Sequence, residues 1–179
     1  MFVQTEITPN PNSIKFIPGK VVSNGGSFSI TKKDETKNIL IKNLLSINGV
    51  EGIFLSKDFI SINKYDNASW DEIKHIAISL INDFYSEGKE FVVDKDLNDN
   101  NENLEEIERK IIKILEQKVR PAVAKDGGDI KFKEFKDGVV KVQLQGSCSG
   151  CPSSTMTLKQ GVQNLLCHYI PEIKEVEAV

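Results

Sequence analysis

Apolar residues recur along this chain with two different periods, and the changes between them mark out its elements. Short runs of β-prone residues at 2–7, 14–16 and 27–30 are separated by Pro9, Pro11, Pro18, Gly19 and the Gly25-Gly26 pair, and predict strands joined by turns. From 36 to 47 the spacing becomes helical, with Ile39, Leu40, Leu44 and Ile47 on one face, and Asn48-Gly49 stops it. Residues 50–55 and 59–62 then read as a hairpin. A second helix is predicted from Ser69, an N-cap residue with Glu72 three positions on, through Ile73, Ile76, Ala77, Leu80, Ile81 and Phe84.

The pattern breaks at 89–103, a polar stretch rich in Asn and Asp. Beyond it, Leu104, Ile107, Ile111, Ile114, Leu115 and Val119 form one helical stripe, which Pro121 is expected to end. Asp126-Gly127-Gly128-Asp129 turns the chain into a strand over 130–135, and Lys136-Asp137-Gly138 turns it back through 139–144. A helix from Pro152 to about Tyr169 carries Leu158, Val162, Leu165, Leu166 and Tyr169 on its apolar face, and 173–179 supplies a last strand. The expected fold is α+β: two small α+β domains, 1–88 and 104–179, joined by an acidic flexible linker at 89–103, with the second ordered α-β-β-α-β.

Charge sharpens the division. The net charge of -3 divides as -1 over 1–88, -3 over 89–103 and +1 over 104–179, so the linker carries the excess. A flexible tether of that length spans roughly 22 Å. Charges of both signs are mixed elsewhere with no basic stripe, so nucleic acid is not an expected partner. No apolar run approaches the ~18 residues of a membrane span, so no membrane partner is expected. The opening MFVQTEITPNPNS resembles neither a signal peptide nor an Arg-rich transit peptide. The expected location is therefore the cytoplasm of a bacterium, or the mitochondrial matrix if a presequence has been removed.

Three cysteines, an odd number, do not make a secreted disulfide framework. Two of them lie in Gly146-Ser147-Cys148-Ser149-Gly150-Cys151-Pro152, between a strand and a helix, where thiolates two residues apart can reach one metal centre. The glycines let the backbone turn its N–H groups toward sulfur, and Pro152 suits a first helical position. Cys151 then sits at a helix N-terminus, which favours the thiolate.

An iron–sulfur centre takes four such ligands as a rule. Cys167 lies about 22 Å farther along an intact helix at 1.5 Å per residue, and roughly opposite its apolar stripe. It reads as a bystander. His75 belongs to the other domain and His168 adjoins Cys167, so the missing ligands are expected from a second copy, giving a homodimer with four thiolates. The pair could instead be a thioredoxin-like dithiol, a zinc site shared by two chains, or a purely structural pair. Asp126-Gly127-Gly128-Asp129 lacks the spacing of a calcium or phosphate loop and reads as a strand-entry turn, and Trp70 reads as a packing residue. No Ser-His-Asp arrangement is present, so the chain is not expected to be an enzyme.

The cysteine segment, followed by Ser153-Ser154, Thr157-Leu158-Lys159 and Gly161-Val162 and preceded by the Asp-Gly-Gly-Asp turn, resembles the NifU-like C-terminal domain of Nfu proteins. Gln4-Thr5-Glu6, Thr8-Pro9-Asn10-Pro11-Asn12-Ser13, Lys15-Phe16, Pro18-Gly19, Gly52-Ile53-Phe54 and Asp58-Phe59-Ile60 resemble the Nfu N-terminal domain. That resemblance implies a scaffold or carrier that holds a [4Fe–4S] cluster across a dimer through Cys148 and Cys151, with [2Fe–2S] the other nuclearity. It also implies transfer to apo iron–sulfur client proteins, and upstream cluster-assembly proteins as further partners. The IscU-like and ferredoxin-like cysteine sets of full-length NifU proteins are lacking, which points to late-stage carriage. The N-terminal domain would then recognise clients or regulate access.

Overall fold

A computed structural model of the chain describes residues 2–24, 26–90, 92, 104–147 and 152–179, with backbone alone for 152–154. They fall into two compact α+β units, one on each side of residues 93–103, each with its own apolar core. Most of the expected linker lies outside the described residues. At its start, Lys89 pairs with Glu87 at 2.8 Å. Val92 is buried, and its N–H donates to the Val22 carbonyl at 2.9 Å, so the first unit holds the chain at least this far.

The first unit is a five-stranded antiparallel sheet in the order β1-β2-β5-β4-β3. Its strands are β1 (Gln4–Ile7), β2 (Ser13–Ile17), β3 (Phe28–Ile30), β4 (Val50–Leu55) and β5 (Ile60–Lys64). Strand side chains alternate between faces. Phe16, Ile53, Leu55, Ile60 and Ile62 thereby meet Leu40, Ile41 and Leu44 of α1 (Ile39–Leu45) and Ile73, Ala77 and Ile81 of α2 (Trp70–Ser86) in one core. The helix expected from 36 begins later. Thr36 is extended, and the Asn38 side chain caps the helix by accepting from Leu40 N at 2.8 Å and Ile41 N at 3.3 Å. Ser69 caps α2 as its sequence suggests, accepting from Asp71 N. Trp70 packs against the core, and its indole N–H also donates to the Pro11 carbonyl at 2.9 Å. Burial of Tyr85, whose hydroxyl donates to Val21 O at 2.9 Å, pushes its pKa up to about 12.

In the second unit the helical stripe does not end at Pro121. Helix α3 (Glu106–Ile114) passes into a π turn (Leu115–Val119) and on into α4 (Arg120–Lys125). The wider turn lets Arg120 N donate to Leu115 O, five residues back, and places Pro121 in the first turn of α4, where its missing N–H costs nothing. Strands β6 (Gly128–Lys136) and β7 (Val139–Gly146) form the expected hairpin, with Asp137 and Gly138 both at positive φ in its turn. Helix α5 (Pro152–Tyr169) follows, and β8 (Glu175–Ala178) returns parallel to β7, leaving β7 the middle strand of three. Ile111, Leu115, Val123, Ile130, Val142, Val162 and Leu166 share the core. Tyr169, expected on the apolar face of α5, is exposed, because the core turns at that level to Ile170 and Ile173.

Candidate metal centre

The four residues 148–151, and with them both candidate ligands Cys148 and Cys151, lie outside the described residues. The geometry at hand is that of the frame on either side. β7 enters the frame through Gly146, at φ +70, opposite Gly128 in the register. Next comes Ser147, 2% exposed. Its N–H donates to Gly127 O at 3.3 Å and its hydroxyl donates to Asp126 O. The Asp126-Gly127-Gly128-Asp129 segment is thus a strand-entry turn with a second task, as the surface against which the strand ahead of Cys148 is pinned.

Asp129 closes the same turn from below. Its carboxylate is buried and takes the guanidinium fork of Arg120, Nε to Oδ1 at 2.9 Å and Nη2 to Oδ2 at 2.9 Å. A third bond comes from Ile130 N at 2.9 Å. A buried carboxylate is costly unless paired and hydrogen-bonded, and here it is both. Sequence reading missed this pair. A helix ended by Pro121 gives no reason to bring Arg120 to the turn, and the π turn that does so leaves no mark in the apolar periodicity.

On the far side, α5 begins at Pro152, the residue after Cys151. The helix is unbroken to Tyr169, so Cys167, fifteen residues along, stands about 22 Å from its start. Cys167 is half-buried, packs against the core and donates its S–H to Ile173 O at 3.2 Å. It does not lie opposite the core as the helical wheel suggests, because the segment after α5 folds back over it. His75 and His168 are both exposed, and His168 meets Tyr169 edge-on at 5.2 Å. Among the described residues no three His, Cys, Asp or Glu side chains gather to hold a metal ion. No described helix is long and apolar enough to cross a membrane.

Comparison with known proteins defines the class. Residues 3–88 match the domain described as scaffold protein Nfu/NifU N terminal, and residues 111–177 match the NifU-like domain. The chain belongs to the Nfu family, which joins these two domains. Its relatives include the "NFU1 iron-sulfur cluster scaffold homolog, mitochondrial" of Drosophila sechellia, 43% identical over 184 residues, and the "NifU-like protein 4, mitochondrial" of Arabidopsis thaliana, 41% identical over 186. These matches take in 100% and 99% of this chain, which spans 65% of the length of either relative. A solution structure of a NifU-like protein from Saccharomyces cerevisiae is 28% identical, covering 52% of this chain and 84% of that one, with a TM-score of 0.48.

Proposed function

We propose that the chain is an iron–sulfur cluster scaffold and carrier, without an enzymatic reaction of its own, in which Cys148 and Cys151 bind the cargo. One observation carries the reading: the two cysteines are the first and last of the four residues between a pinned Ser147 and the start of α5. The names of its relatives, as iron–sulfur cluster scaffold homologues, supply the cargo. The helix N-terminus at Pro152 favours negative charge, which suits thiolate ligands and an anionic cluster.

One chain offers two such ligands, so a [4Fe–4S] cluster takes two chains related by a two-fold axis, four thiolates in all. Transfer is then ligand exchange. Each iron–sulfur bond to a carrier cysteine is replaced by one to a client cysteine; the client thiol gives up its proton, and the released carrier thiolate gains one. No electron moves. The chemistry requires reduced thiols, which suits a bacterial cytoplasm or a mitochondrial matrix.

Anaerobic reconstitution tests the proposal, with iron, sulfide and zinc counted per protein and the cluster read by visible absorption and Mössbauer spectra. About four irons and four sulfides per two chains are expected from the four-thiolate count. Cys148→Ser and Cys151→Ser lose the cluster. Stoichiometric zinc without sulfide, or catalytic disulfide reduction without iron, overturns the reading.

A further inference from the structure

We propose that Arg120, Asp129 and Ser147 are positioning residues for the cysteine loop, acting by fixing Ser147, the residue that precedes Cys148; the inference rests on the reading above that this loop holds the cluster. The chain of contacts is short and made entirely of polar groups. Ser147, the residue before Cys148, is tied by its hydroxyl to Asp126 O and by its N–H to Gly127 O at 3.3 Å. Those two carbonyls belong to a turn that Asp129 fixes through Arg120 on one side and Ile130 N on the other, every bond at 2.9 Å.

Arg120 reaches the turn because of the π turn before it. One extra residue in a helical turn advances every later side chain by about 100°, since an α-helix has 3.6 residues per turn. The carboxylate also matters for its charge. Asp129 is 4% exposed, and the guanidinium fork cancels its charge where it stands. None of the three side chains is part of the apolar core, whose members are all hydrophobic. Groups that orient metal ligands from one shell out change metal affinity by 10–100-fold when removed. An ion pair that only stabilised the fold would act on the whole unit; a positioning pair acts on the loop.

The full chain carrying Asp129→Asn tests this, since the amide keeps the shape and removes the charge. In the apo-protein, hydrogen exchange of the backbone amides at 146–151 should quicken by about tenfold or more, with the amides of Val140 and Val176 in the buried strands unchanged. After reconstitution, a chelator should strip iron about tenfold faster than from the unaltered chain, the low end expected of outer-shell ligand partners. Arg120→Lys, which keeps the charge and loses the fork, should fall between. Where Asp129→Asn does not fold, Ser147→Ala decides, with Ser147→Thr restoring the slow exchange. Unchanged exchange at 146–151, a rise spread evenly over the unit, or an unchanged iron lifetime overturns the inference. If the unaltered chain takes up neither iron nor sulfide, the proposed function fails, and the exchange contrast still shows whether these residues hold the loop.

Discussion

Tyr85 makes the first unit sensitive to alkali by an amount that follows from its pKa. A buried, hydrogen-bonded phenol resists ionisation, so the folded value stands at about 12 against the usual 10.0. The sign follows from linkage: the raised value means that the fold favours the neutral form, so the stabilisation is complete below pH 10 and is lost as pH rises toward 12. Two pKa units are worth about 3 kcal/mol in all, and about half of that is gone by pH 11. Tyr85→Phe removes this component, and at neutral pH costs about 1 kcal/mol for the bond to Val21 O. Trp70 is the chain's one tryptophan and lies in the first unit, so urea unfolding followed by its fluorescence reports on that unit within the intact protein. The two proteins differ at residue 85 alone, so the difference between the two curves isolates Tyr85. Tyr85→Phe, the less stable of the two at neutral pH, should become the more stable between pH 10 and 12. Parallel loss by both would refute the argument.

Further outcomes are expected across the chain. Gly49→Ala should destabilise the first unit by about 2–4 kcal/mol, the range for overpacking joined to backbone strain. Its Cβ would stand 2.5 Å from that of Ala68, at a φ of +93°; the Trp70 transition measures the loss. Cys167→Ser should keep the cluster with unchanged iron and sulfide counts, and loss of cargo would contradict the separation along α5. Removing the first unit should leave cluster binding intact and slow transfer to apo-clients, measured by client reactivation; undiminished transfer to every client would refute a role for that unit in delivery.

Much of this was legible in the sequence where one local signal decides. The Asp137-Gly138 turn, the Ser69 cap and the span of α5 all follow from short-range chemistry. The errors came from features set at longer range. Pro121 normally ends a helix, and the π turn that accommodates it cannot be read from apolar spacing. Cys167 and Tyr169 exchanged their expected environments because residues 170–173 choose which side of the last turn is covered. The ion pair between Arg120 and Asp129 depends on that same π turn, so the error at Pro121 also concealed the brace beneath the candidate site.

The middle position of β7 bears on how the protein is made. Its second neighbour, β8, comes after the cysteines in the chain, so on the ribosome Cys148 and Cys151 emerge before the strand that completes their sheet. During that interval the thiols belong to a half-built domain, whose sheet still lacks its third strand. Only when residues 175–178 have also emerged can β8 pair with β7 and complete the sheet.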